Sequence, residues 1–384
     1  MDERTEADGI VRNGIDVLIA GNFSTLRHKR LGLVTNHTGL TSDGRRTIDV
    51  LRQRDDLYLD RLFAPEHGLS GLHDERVADG VDEASGLVVH SLFNARADYR
   101  PTAEQLHGLD VILYDIQDIG CRFYTYLSTL GYLLEASAEN GVAVYVLDRP
   151  NPIDGLDVEG PCSDPEVRSF IGFHSIPLRH GMTVGEMARL FNVERRINAD
   201  LRVVTMAGWE RHFLHGDTGQ RWVNPSPNIR DVTAAGLFPG VGLLECTNVS
   251  VGRGTPSPFH VFGAPWIDGD RLAGALAEYG LPALRFEAVT FVPDDFRHMC
   301  HGQTCHGVRF IVDDLLMLES ARLGLALIQS LRSLYPTEWE FVKLDSLLLR
   351  PDLMDAIEDR SPDLDDLWEP DPEFFEARAS ALLY

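Results

Sequence analysis

Lysine is nearly missing from this chain: Lys29 and Lys343 are the only two in 384 residues. Arginine therefore carries almost all the positive charge, and 59 acids against 35 basic residues leave a net charge of −24. A chain this acidic repels nucleic acid and anionic membrane surfaces, so neither is an expected partner. The acidity reads equally as adaptation to a salty cytoplasm or as GC-rich coding plus an acidic tail from Asp352 to Glu376. Cysteine is scarce too. Cys121, Cys162, Cys246, Cys300 and Cys305 are an odd number without disulfide-framework spacing, which points to reduced thiols inside a cell. No apolar run approaches the ~18 residues of a membrane span. The opening MDERTEADGI lacks the basic and apolar regions of a signal peptide, so the expected location is the cytoplasm.

Several catalytic signatures are also lacking. Gly240-Val-Gly242 has no third glycine of the dinucleotide fingerprint, and no Walker A loop occurs. Gly252-Arg253-Gly254-Thr255 is glycine-flanked but has no helix start to make it a specific anion loop. A G-x-S-x-G elbow is absent, which argues against that hydrolase class. His298, Cys300, His301, Cys305 and His306 crowd together, yet their spacing matches no standard zinc signature. Neither a metal nor a cofactor is expected, and the sequence is silent on oligomeric state.

What is present is a pattern of buried strands. Hydrophobic residues make up 44%, ordinary for a globular protein, and the length suffices for two domains. Strand-like and helix-like segments alternate from Ile15 to Leu281. Strands are predicted at Leu31–Thr35, Leu59–Phe63, Leu87–Leu92, Val111–Asp115, Val142–Leu147, Leu201–Met206 and Val241–Leu244, with helices at Arg45–Arg54, Tyr124–Glu139 and from Thr183 to about Arg195. This alternation predicts an α/β fold: a Rossmann-like, doubly wound, mostly parallel sheet over residues 1–281. The proline- and glycine-rich stretch Asn224–Gly269 reads as substrate-binding loop. Strands near Phe286–Val292 and Val308–Val312 and a helix at Leu315–Leu334 predict a smaller α+β C-terminal domain, 282–384, with a cleft between the two.

Five apolar runs end abruptly in polar side chains: GLVTNH, RLFAPEHG, VILYDIQDIG, VYVLDRPNP and GLLECTN. Ligands of open α/β sheets bind beyond the carboxyl ends of the strands. Asn36, His37, Glu66, His67, Asp115, Gln117, Asp118, Asp148, Arg149, Glu245 and Asn248 are therefore expected around one crevice that holds a small molecule. Glu66, at a strand lip and partly shielded from water, suits a general acid; the competing reading is a surface turn. Asp115, Gln117, Asp118, Arg122, Tyr124 and Tyr126 form the chemistry that grips sugar hydroxyls and an N-acetyl group, unless Asp118 and Arg122 are a structural ion pair. Asp148-Arg149-Pro150-Asn151-Pro152 is a rigid turn whose Arg149 either binds a carboxylate or caps carbonyls.

Taken in order, GLVTNHTGLTSDGRRTIDVL, LFAPEHG, DVILYDIQDIGCRFYTYLSTL, VLDRPNPIDGLDVEGP, IPLRHGMTVGEMARLFN, WVNPSPNI and GRGTPSPFHVFGAPWID resemble the exo-β-N-acetylmuramidase family, glycoside hydrolase family 171, long known only as a domain of unknown function. The resemblance runs from about Gly14 to the end of the chain. It implies a carbohydrate substrate and release of terminal N-acetylmuramic acid from peptidoglycan fragments. It also implies a Rossmann-like first domain with a catalytic glutamate in P-E-H-G, which is Glu66 here. His67, Asp115, Gln117, Arg122, Tyr124, His180, Asn228 and Arg253 fall in matching motifs and would line the pocket. Asn36, Arg149, Asn151, Glu245 and Asn248 join them as binding candidates, and Arg149 or Arg253 would meet the lactyl carboxylate. Asp115 or Asp118 is the expected second catalytic acid. Two departures stand out: the loop LSGLHDERVADG is shorter and lacks the family's usual glutamate, and Val251 stands where an acid usually precedes GRGT. The alternatives are a related exo-glycosidase with a different terminal sugar, which these departures favour, and a non-catalytic sugar-binding protein on the same fold.

Overall fold

The computed structural model describes residues 9–73, 76–94, 99–361 and 364–384. Most of the opening segment, positions 74–75 of the loop after Gly68 and positions 362–363 of the acidic tail lie outside those residues.

The apolar runs form the strands that their composition demands. β1 (Arg30–Thr35), β2 (Tyr58–Ala64), β3 (Gly80–Asp82), β4 (Leu87–Ser91), β5 (Val111–Asp115), β6 (Ala143–Leu147) and β7 (Leu201–Val204) build one sheet in the order β3-β4-β2-β1-β5-β6-β7. All neighbours pair in parallel except β3 and β4 at the edge. The chain winds outward from β1 to one side, then returns to β5 on the other. That reversal is where such sheets open a crevice.

Helices cover both faces: α1 (Gly14–Ala20), α2 (Thr47–Arg52), α3 (Ala103–Leu106), α4 (Tyr126–Asn140) and α5 (Val184–Glu194). Side chains alternate along each strand and sort between the two faces. Leu31, Leu33, Val111, Leu113 and Leu147 cluster with Ile15, Ile48 and Leu51 of α1 and α2. Val34, Ile112, Val144 and Val146 cluster with Leu130 and Leu134 of α4 and Met187 and Phe191 of α5. Each such side chain, fully buried, contributes roughly 1.5–3 kcal/mol of transfer free energy. The start of α5 is written in its sequence. The Thr183 hydroxyl accepts from the Glu186 amide at 3.3 Å, and the Glu186 carboxylate accepts from the Thr183 amide at 3.0 Å.

The C-terminal part carries α6 (Val232–Val241), α7 (Gly269–Ala277), α8 (Ser320–Leu334) and an antiparallel sheet of β8 (Val261–Ala264), β10 (Cys305–Val312) and β9 (Leu284–Phe291), with β10 in the middle. Its β8 precedes the expected division at 281, because a four-residue strand inside a proline- and glycine-rich stretch gives little strand signal. The core is continuous across the two parts: Phe262, Val308, Leu327 and Leu331 belong to the same cluster as Leu130 and Met187.

One predicted strand is corrected. The run Val241–Leu244 is not in the sheet; it ends α6 and continues as a 3-10 turn over Gly242–Cys246. A four-residue apolar run has no period that separates strand from buried helix. Packing decides the matter: α6 lies on α8, and Leu243 and Leu244 of the turn are buried in the same core cluster.

Candidate active site

Glu66 follows β2 and Pro65, and the backbone turns sharply behind it: His67 has φ 68° and Gly68 φ 70°. The Leu92 amide donates to the Ala64 carbonyl at 2.8 Å and ties the end of β2 to the segment after β4. This turn directs Glu66 into a cavity of about 280 Å³. The side chain is half-buried, and its Oε2 accepts from the Thr125 hydroxyl at 2.5 Å. Thr125 stands at the head of α4, so the preceding β5 and the helix together fix its place.

The cavity has a polar rim and an apolar floor. Phe123, Ile229, Phe238 and Phe259 form the floor. Tyr124 stands edge-on to Tyr126 and Phe238, with ring centroids 4.9 and 6.0 Å apart. It is only 7% exposed. Its hydroxyl lies beside Ser226 and Tyr126 but makes no hydrogen bond of good geometry. Burial pushes this phenol well above the usual tyrosine range, so it is a donor held in reserve inside the cavity.

The opposite wall brings Glu245 and Arg253 together as an ion pair, with the Arg253 guanidinium 5.7 Å from the Phe259 ring. Gly252, at φ 82°, has no room for a side chain: a Cβ there would lie 2.8 Å from the Ser257 and Val261 carbonyl oxygens. That tight turn aims Arg253 inward. The Asp294 amide docks on the Gly254 carbonyl at 2.8 Å and brings Arg297 and His298 to the same cavity. Arg297 is bidentate on Asp295, at 3.0 and 2.7 Å.

A family model for the N-terminal part of the exo-β-N-acetylmuramidase NamZ matches residues 31–233, and one for the C-terminal part matches 236–384. The chain belongs to the exo-β-N-acetylmuramidase NamZ family. It is 42% identical over 338 residues to the peptidoglycan β-N-acetylmuramidase NamZ of Bacillus subtilis (strain 168), a match covering 88% of this chain and 81% of that protein. Two crystal structures of DUF1343 family proteins from Bacteroides fragilis NCTC 9343 share the fold. One superposes with a TM-score of 0.89 at 33% identity, covering 98% of this chain and 100% of that one. The other gives 0.75 at 27% identity, covering 97% and 99%. Both NamZ segments supply the cavity: Glu66, His67, Tyr124 and Thr125 come from the first, Glu245, Arg253, Arg297 and His298 from the second.

Of the residues read from the sequence, the cavity thus gathers Glu66, His67, Tyr124, Glu245 and Arg253. The Nδ1 of His67 meets the His73 carbonyl at 2.7 Å. The rest are placed elsewhere, so the single crevice expected from the strand ends is corrected. Asp115 is fully buried, paired with Arg149 Nε at 2.6 Å and accepting from the Thr47 hydroxyl at 2.5 Å. Asp118 accepts from the Gly120 amide at 2.7 Å and faces His180 Nε2 at 3.4 Å, a contact without hydrogen-bond geometry. Neither aspartate lines the cavity.

Arg122 does not pair with Asp118. It is buried and donates to the carbonyls of Pro161, Ile176, Leu347 and Leu348. Asn36 bonds Tyr126 and Thr38; Asn151 holds the Met182 carbonyl and the Ile153 amide; Asn248 holds Glu338 and Glu340. Gln117 spends its amide on the Asp118 and Pro150 carbonyls. With Arg149 it borders a different cavity, of about 340 Å³, near Trp222. Asn228 is buried between Ser226 and Ile229 of the cavity wall without lining it. Sequence reading missed Thr125, Ser226 and Arg297 and weighed His298 only as a metal ligand. Thr125 lies inside DVILYDIQDIGCRFYTYLSTL and Ser226 inside WVNPSPNI, where more conspicuous neighbours drew the reading; Arg297 had no local signal, because only tertiary contact brings it in.

Proposed function

We propose that this chain is an exo-acting glycosidase that releases β-linked N-acetylmuramic acid from the ends of peptidoglycan fragments, with Glu66 as general acid. Membership of the NamZ family supports the activity. The observation that carries the assignment is the half-buried Glu66 in a cavity whose only other lining carboxylate, among the described residues, is Glu245. Glycosidases of this kind act through a pair of carboxylates flanking the bond to be broken. Glu66 hands its proton to the departing oxygen. Glu245 takes the part first given to Asp115 or Asp118 and faces the positive charge that grows at the anomeric carbon. Arg253, anchored by Glu245, meets the lactyl carboxylate that distinguishes muramic acid from other amino sugars. Tyr124 donates its unspent hydroxyl to the acetamido carbonyl, and the phenylalanine floor takes the methyl group.

The two NamZ segments divide this work, the Rossmann-like part providing the acid and the C-terminal part the second carboxylate and its arginine. The place of work is the cytoplasm, a reading supported by five cysteines that are all free thiols. Nucleic acid is no partner of a chain with net charge −24.

The test is turnover of a chromogenic β-N-acetylmuramide. Glu66→Gln should lower kcat on a muramic acid disaccharide by about 10²–10⁴-fold, the usual worth of a general acid, with binding kept. Full activity in that variant would remove Glu66 from the role. Preference for a glycoside without the lactyl group would remove the muramic acid assignment.

A further inference from the structure

Thr125 has a hydroxyl whose ordinary task lies undone. A threonine at a helix start normally accepts a hydrogen bond from a backbone amide of the first turn. Thr125 heads the fifteen-residue α4 and makes no such bond. Its hydroxyl instead donates to Glu66 Oε2 at 2.5 Å, across 59 residues of sequence. Its carbonyl is fixed in the helix, accepting from the Thr129 amide at 3.0 Å and the Thr129 hydroxyl at 3.3 Å. A β-branched side chain on a fixed backbone has few rotamers open to it. The neighbouring polar group is already committed: the Tyr126 hydroxyl donates to the Pro225 carbonyl at 2.8 Å and accepts from Asn36 at 3.0 Å. Both Glu66 and Thr125 line the cavity.

We propose that Thr125 is a positioning residue of the glycosidase reaction, pinning one oxygen of Glu66 so that the other presents its proton to the glycosidic oxygen. The inference rests on the reading of Glu66 as the acid. In the step, the bond from C1 to the leaving oxygen breaks and its electron pair stays on that oxygen. The proton of Glu66 Oε1 moves there, and water supplies the hydroxyl that C1 acquires. The other proton of that water passes to the Glu66 carboxylate, directly or by way of Glu245, which restores the acid. Thr125 keeps its own proton throughout. An acid swinging free about its χ angles would lose the alignment on which proton transfer depends.

The consequence depends on the leaving group. A sugar leaving as an alcohol needs the proton, whereas a 2,4-dinitrophenolate departs without one. Thr125→Val keeps the branched shape and removes the donor; Thr125→Ser keeps the donor. On an N-acetylmuramyl disaccharide, Thr125→Val should lower kcat/KM by about 10–100-fold through kcat, with KM within about 2-fold. On the dinitrophenyl β-N-acetylmuramide its kcat/KM should stay within about 3-fold of the parent, and Thr125→Ser should restore the disaccharide rate. Equal losses on both substrates, no loss on the disaccharide, or failure of serine to rescue would each overturn the inference. Should the valine variant not fold, Thr125→Ala against Thr125→Ser makes the same comparison. Glu66→Gln separates the two levels. If it still cleaves the disaccharide, the acid itself is misassigned. If it does not and Thr125→Val is indifferent, only the role of Thr125 falls.

Discussion

Arg122 shows how a polar residue inside a functional motif is consumed by the fold. Its guanidinium is 2% exposed and donates four hydrogen bonds to backbone carbonyls, two of them on Leu347 and Leu348 near the end of the chain. Burial pushes it down to about 10, so it stays charged at neutral pH. Replacing it with methionine leaves four buried acceptors without donors. Each such orphan costs about 1–3 kcal/mol, so Arg122→Met should lose at least roughly 3 kcal/mol in urea unfolding. A loss under about 1 kcal/mol would mean that water replaces the guanidinium there. The same logic explains what was legible at this scale. Sequence shows that D-I-Q-D ends a strand in polar groups; it does not show that Arg149 and Thr47 wait behind Asp115 and satisfy it. Glu66, whose side chain accepts from the Thr125 hydroxyl, was legible as a polar residue set by a proline at a strand end, and the turn behind it, with two positive φ angles, holds it at the cavity.

Elements with a clear period or a buried run were readable, and those shaped by packing were not. The six parallel strands and the Thr183 capping box stand where composition puts them. α6 does not announce itself: it holds Gly236, Pro239 and Gly240, all poor helix residues. Its existence follows from α8, on which it lies so closely that a Cβ on Gly240 would sit 2.0 Å from the Ser320 carbonyl oxygen and 2.9 Å from the Gly324 amide. Backbone cannot swing aside as a side chain can. Gly240→Ala should therefore destabilise the protein by about 1–3 kcal/mol, the cost of overpacking, despite alanine's better helix propensity. Because Phe238 of α6 floors the cavity, KM should rise in the same variant. A gain in melting temperature would show that α6 and α8 separate more easily than their contact suggests.

Over the whole molecule, the buried Asp148 and the half-buried His174 pull the pH dependence of stability in opposite directions. Asp148 follows β6 beneath the Thr183 hydroxyl, the Tyr384 hydroxyl and the Gly185 amide, and burial lifts its carboxyl from 3.8 to about 6. Folded protein thus holds that proton more tightly than the unfolded chain, so this contribution is full below pH 4 and lost as pH rises through 6. His174, packed edge-on to Phe191, is pushed from 6.5 down to about 4 by burial, aided by Arg195 and Arg168. There the unfolded chain binds the proton more tightly, so stability is full above pH 6.5 and lost on acidification towards 4. About two pH units correspond to roughly 3 kcal/mol, so the two slopes nearly cancel in the parent between pH 4 and 6.5. Removing one should expose the other. Relative to the parent, Asp148→Asn should gain stability as pH rises across that window, and His174→Phe should lose it, each by about 3 kcal/mol in urea midpoints converted with a common m value. The comparison subtracts the many surface acids, whose titration is shared by all three proteins. If both variants run parallel to the parent, neither group is buried in the folded protein as deeply as its surroundings here require.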